Sequence, residues 1–217
     1  MLLKNVSNPI KTIVSILFLG LCGSSLAQAQ PLRCDRADSK IDHSKFCVDT
    51  LKDLRQDLNE QLLTTYLVTD APLRLIDDTH QLWLGQTQQC KSLVCFKQQF
   101  NVRIEDLNVY TSMNQTLTQH YLKYENGQIA KQTVHLKIHQ LSKDRIKIEG
   151  LAYRNPNNRV ETRAVPLLAY TTPQKKNEII DNEHDCKYKL NFQKALLRVS
   201  SQQSGCERFV GMYRLYD

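Results

Sequence analysis

The chain is poor in the residues that build most catalytic loops. Its 217 residues contain only 7 glycines, and Gly20, Gly23, Gly127 and Gly205 fall in the leader or in turn contexts. No GxSxG, HExxH, SxxK or glycine-rich phosphate loop occurs, so the usual signatures of a nucleophile, a zinc helix or a phosphate cradle are missing. No CxxC pair occurs either, which removes the spacing expected of a four-sulfur metal site. Beyond the leader, no apolar run is long enough to span a bilayer as a helix. These absences point to a non-enzymatic protein without cofactor or metal.

What is present begins with a leader. Lys4 and Lys11 precede an apolar run from Thr12 to Leu21, and Ala27-Gln28-Ala29 has the small-x-small form of a cleavage site. Residues 1–29 read as a secretory signal peptide cut before Gln30. An uncleaved anchor is the alternative. Leu19-Gly20-Leu21-Cys22 as a lipobox is another, although Leu21 is too large for the residue before an acceptor cysteine. Removing the leader leaves six of 7 cysteines: Cys34, Cys47, Cys90, Cys95, Cys186 and Cys206. An even number in an exported chain reads as disulfides. The expected location is the periplasm or the outside of the cell.

The remainder divides near Met113 in both charge and periodicity. Residues 30–113 carry 10 Lys/Arg against 12 Asp/Glu, net −2, and residues 114–217 carry 17 against 10, net +7. In the first part Leu51, Leu54, Leu58, Leu62 and Tyr66 form one stripe at helical spacing. Asp49, Asp53, Asp57 and Glu60 ride on another face, the first of them suiting the positive end of the helix dipole. Asp70-Ala71-Pro72 ends that helix. A second stripe holds Leu73, Ile76, His80 and Trp83, and a third Phe96, Phe100, Ile104 and Leu107. Three short helices make a small antiparallel bundle. Such a hairpin gathers the first four cysteines at one end. Cys34–Cys47 and Cys90–Cys95 are the local pairings, and crossed pairs such as Cys47–Cys90 satisfy the same geometry. A core of this size needs such staples.

After Met113 the period becomes that of strands. Leu117 to Tyr124, the turn Asn126-Gly127 and Ile129 to Leu141 read as a hairpin with a type I′ turn. Val134, Leu136 and Ile138 alternate with His135, Lys137 and His139. Arg145 to Arg154 follows, with Gly150 a candidate bulge, then the turn Asn155-Pro156-Asn157-Asn158 and a strand from Val160 to Thr171. Lys187 to Phe192, Leu197 with Val199, and Phe209 to Tyr216 complete about seven strands, with Cys186 and Cys206 closing one hairpin. The fold class is α+β: a stapled helical domain over 30–113 and an antiparallel sheet, sandwich or open barrel, over 114–217.

The histidines offer little chemistry. His135 and His139 with Lys137 between them read as a solvated strand face, since Lys137 opposes a cation. His80 reads as a core histidine. His184-Asp185-Cys186 resembles part of a triad, but an oxidised Cys186 is no nucleophile. Asp77 and Asp78 point about 100° apart on a helix and cannot share a proton. His43 and His120 have no adjacent partner. The basic second half suits anionic envelope polymers, such as lipopolysaccharide phosphates or peptidoglycan carboxylates, better than nucleic acid, which an exported protein rarely meets.

One family resemblance rests on these residues. Cys34, Cys47, Leu51, Leu54, Leu58 and Tyr66 are followed by Leu73, Gln81, Trp83-Leu84, Cys90, Cys95, Phe100, Arg103-Ile104 and Leu107. This arrangement, over residues 34–107, resembles the N-terminal domain of the LprI-type lysozyme inhibitors of bacteria. The chain departs from that pattern at Gly85-Gln86-Thr87, where an arginine often follows Trp-Leu, and at Phe46. The resemblance implies protection of peptidoglycan by occlusion of a lysozyme cleft. Many lysozymes are strongly basic, so the acidic face of Asp49, Asp53, Asp57 and Glu60 is the expected docking surface. An envelope-binding role through the basic strands is the alternative.

Overall fold

The fold is taken from a computed structural model that describes residues 31–34, 45–112, 114–153 and 164–216. The leader with its cleavage site, His43 and the Asn155–Asn158 turn lie outside the described residues. Three helices come first: α1 (Lys52–Val68), α2 (Leu73–Thr87) and α3 (Leu93–Ser112). Pro72 stands at the N-cap of α2, where its missing N–H costs nothing. Leu51, Leu58, Leu62, Trp83, Phe100 and Leu107 pack into one core. The helical stripes need two amendments. Leu73 is half exposed while Leu75 takes its place inside, and Arg103 is buried beside Phe100.

The expected local disulfides Cys34–Cys47, Cys90–Cys95 and Cys186–Cys206 are all formed. The first two sit at the same end of the bundle, where the Phe46 and Phe96 rings meet edge to face at 5.9 Å. The Asn59 side chain bonds both the N–H and the C=O of Leu32, at 2.9 and 3.0 Å, and pins that segment to α1.

The strand half holds β1 (Thr118–Glu125), β2 (Gln128–Ile129), β3 (Val134–Ser142), β4 (Arg145–Ala152) and β5 (Val165–Thr171). After them come β6 (Glu178–Ile180), β7 (Lys187–Gln193), β8 (Leu196–Ser200) and β9 (Gly211–Tyr216). All pairings are antiparallel, in the order β5-β4-β3-β1-β9-β8-β7-β6, with β2 on β1. The two ends of this order approach each other, the Asn182 N–H donating to the Leu168 C=O at 2.8 Å. The result is a nearly closed eight-stranded barrel with β2 as an appendage. A barrel of that number is just wide enough to be filled by its own side chains, and Tyr121, Leu136, Ile148, Leu190, Phe209 and Tyr213 fill it.

Three strand expectations change. The Asn126-Gly127 turn forms with positive φ at both residues, but its return strand is only Gln128–Ile129. The chain leaves the ladder before Val134, and β3 pairs further along β1. Gly150 is no bulge, because β4 runs in unbroken register past it against both neighbours. The short strand β6 escapes sequence reading because three residues cannot display a period of two.

The helices lie on the outer face of the barrel. Leu122 of β1 and Tyr216 of β9 belong to the helical core, and the Gln86 amide donates to the Thr133 hydroxyl at 3.0 Å. His135 and His139, expected on a solvated face, are only 3% and 4% exposed. Alternation correctly turns them outward from the barrel, but the outward side of β1 and β3 is where the helical half packs.

Candidate functional site: charged faces around a buried histidine cluster

A short 3-10 turn at Asp49–Leu51 runs directly into α1, anchored by the buried Leu51. Asp53 and Asp57 follow one helical turn apart, and Glu60 falls on the same side. All four carboxylates are exposed. From Asp53 to Glu60 the stripe advances about 10 Å along the axis. The Gln56 amide donates to Glu60 at 2.9 Å. Arg55, on the opposite side, turns inward and donates to the Phe46 C=O at 2.7 Å, which keeps its charge off the stripe.

The opposite charge collects on the barrel. Along β7 the burial alternates cleanly, placing Lys187, Lys189, Asn191 and Gln193 outward. On β8 Leu196, Arg198 and Ser200 face out, and on β9 Met212 and Arg214 do so. None of these outward positions is a carboxylate. The Arg214 guanidinium lies 5.9 Å from the centre of the Tyr124 ring.

Between helices and barrel lies a polar cluster that sequence reasoning missed. Tyr110 of α3 reaches His135 Nδ1 at 3.5 Å, and His135 Nε2 meets His120 Nδ1 at 3.1 Å. His139 bridges Thr118, at 2.9 Å, and the Glu149 carboxylate, at 2.7 Å. Arg103, 2% exposed, is paired with Asp106 at 2.6 Å and donates to the Ile76 C=O at 3.2 Å. His80 packs against Trp83 with ring centres 5.2 Å apart and the planes tilted by 36°. Both nitrogens of His80, and His120 Nε2, have no hydrogen-bond partner among the described residues.

Burial sets the protonation here. Desolvation, reinforced by Arg103, holds His80 well below its ordinary range. Desolvation also drives His120 down to about 3, with Lys137 and His139 adding to it and Asp70 opposing. It lowers His135 as well, seconded by His120, Lys137, His139 and Arg103. The Tyr110 and Tyr153 phenols are pushed well above 10 by the same loss of water. Glu149 is held down to about 2, first by its bond from His139 and then by Lys147, against the cost of burial. His80, His120 and His135, kept neutral by burial, make with Tyr110 a buried polar joint.

The crevice beside the joint, lined by Trp83, Gln99, Arg103 and Thr133 among others, encloses about 20 Å³. That is room for about one water and not for a substrate. Among the described residues no three or more His, Cys, Asp or Glu side chains converge as metal ligands would. His184 pairs with Asp181 at 2.9 Å, not with Asp185, and Cys186 is oxidised.

Only the tertiary placement of α3 could have revealed the joint, since His120, His135 and His139 sit on ordinary outward strand positions. Comparison with protein-family models, with curated proteins and with solved structures finds no match to this chain.

Proposed function

We propose that the chain is an exported, non-enzymatic binding protein that presents the α1 carboxylates to a basic partner. Lysozyme is the expected partner, and the consequence is protection of peptidoglycan in the periplasm or outside the cell. The observation that carries this reading is the exposure of Asp49, Asp53, Asp57 and Glu60 along one side of α1. Residues 30–217 carry a net +5 (−2 plus +7), so this array acts at short range, attracting a cationic enzyme locally and orienting it on the helix. The supports are general ones. Three disulfides suit an oxidising compartment, and none of the described helices is long and apolar enough to cross a membrane. The resemblance of residues 34–107 to the LprI-type domain supplies the identity of the partner.

The test is peptidoglycan lysis by c-, g- and i-type lysozymes with the oxidised protein, residues 30–217, added in increasing amounts. Dose-dependent protection against one class is expected. D53K/D57K should raise the half-inhibitory concentration about tenfold or more, because two attractive contacts become repulsive. Lysis that proceeds unchanged at micromolar excess would remove lysozyme as the partner. Protection unaffected by the double reversal would remove α1 as the docking face.

A further inference from the structure

The outer face of β6 and β7 is hollowed into an open groove of about 610 Å³. That volume lies in the range of about 300–1,000 Å³ typical of small-ligand sites. Its base is the Lys187–Lys189 stretch of β7. One wall is β6, with Ile180 54% exposed. The other is the Ser200–Gln203 segment.

That second wall is fixed in place. The Ser201 hydroxyl donates to the Lys187 C=O at 2.8 Å, and the Gln203 side-chain oxygen accepts the Lys187 N–H at 2.5 Å. The Cys186–Cys206 disulfide ties the start of the base to the end of this wall, its Cα atoms 5.7 Å apart, and β6 is held to β7 by the strand ladder. The groove is therefore pre-formed, so a ligand does not have to order it.

Its chemistry defines the ligand. The Lys187 and Lys189 ammonium groups supply positive charge. Glu178 is the acid among the groove's lining residues, and it meets Lys189 at 3.7 Å with both side chains about three-quarters exposed (75% and 76%). An exposed pair of that kind is worth little, so a ligand anion can displace it. Ser200 and Gln202 offer hydroxyl and amide groups to sugar hydroxyls, and Ile180 offers an apolar surface to a pyranose face. Arg198 on β8 lies two residues along from the Lys189 row and Arg214 on β9 four, which puts them about 8 Å and about 16 Å from Lys189 at ordinary strand spacing and rise. Nucleic acid is disfavoured, because the groove's one aromatic residue, Tyr188, is 3% exposed and offers no face for base stacking.

We propose that the groove between β6 and the Ser200–Gln203 segment binds an acidic saccharide, its anionic groups held by Lys187 and Lys189 and its chain running toward Arg198.

The test is calorimetric titration of the oxidised protein, residues 30–217, with short oligogalacturonate, its neutral methyl ester and inorganic polyphosphate. Binding is expected for oligogalacturonate, weakened by salt, and at least about tenfold weaker for the methyl ester and for polyphosphate. K187E/K189E should abolish it, and the charge-matched K131E/K143E should retain it. No binding at low salt overturns the proposal. Equal affinity for polyphosphate also overturns it, since the face would then be a general polyanion surface. K187E/K189E should leave any lysozyme protection unchanged, so the site stands or falls apart from the α1 reading.

Discussion

Gly150 sits inside the barrel where three neighbours take the space of its missing side chain. A methyl group there would stand 2.8 Å from Leu136 Cδ2, 2.8 Å from Phe209 Cε1 and 2.9 Å from Leu167 Cβ. The first two could swing aside, but Leu167 Cβ moves only with its backbone. Gly150→Ala is therefore expected to destabilise the protein by about 1–3 kcal/mol, the cost of overfilling a packed core. A lowered midpoint in urea with unchanged slope would show it, and an unchanged midpoint would mean the interior is looser than these contacts imply. Glycine within a strand pattern signals either a bulge or close packing, and the choice depends on neighbours from β3, β5 and the Phe209 turn. Residues distant in sequence decide it, which is why the bulge expectation failed.

Among the elements, the join between β5 and the turn after β6 is made by the Asn182–Leu168 backbone bond and one side chain. Asp181 is fully buried and accepts from the Leu168 N–H at 2.9 Å, the Glu183 N–H at 3.1 Å and His184 Nδ1 at 2.9 Å. Asp181→Ala removes all three and leaves the Leu168 amide without its acceptor. A loss of about 3 kcal/mol is expected, from the usual worth of hydrogen bonds to a charged group. Hydrogen exchange should locate the effect: the Leu168 amide exchanges fast in the variant while amides of β1 and β3 keep their protection. Uniform loss of protection would mean that the join is not a separate unit. The helices, the Asn126-Gly127 turn and the local disulfides were legible in the sequence because each is set by near neighbours. Closure of the barrel was not, since β6 is three residues long and its link to β5 runs through one backbone bond and a carboxylate. The α1 carboxylates were legible as an exposed face, whereas the groove beside Lys187 needed the Cys186–Cys206 loop in place.

For the whole molecule, the joint between helices and barrel makes stability depend on pH. His80, His120 and His135 have folded-state values below the ordinary 6.5. Above about pH 6.5 they are neutral in both folded and unfolded chains and add no pH dependence. As the pH falls from there toward 3, the unfolded chain takes up protons that the folded one refuses, so stability drops. Glu149 acts in the same direction lower down, its contribution being lost as the pH falls from 4.5 toward 2. Thermal melts should show Tm falling steadily below pH 6.5, and H120Q/H135Q should flatten the part of the slope above pH 4.5. A pH-independent Tm would mean that the joint is open to water. The strand order has a different consequence, for the time course of folding. β1 lies between β3 and β9, so one side of it waits for the last of the described strands. Until residues 211–216 arrive, a meander running from β1 to β5 presents a bare edge of the kind that invites aggregation. That edge closes only when β9 pairs with both β1 and β8, a non-local contact of the kind that slows folding.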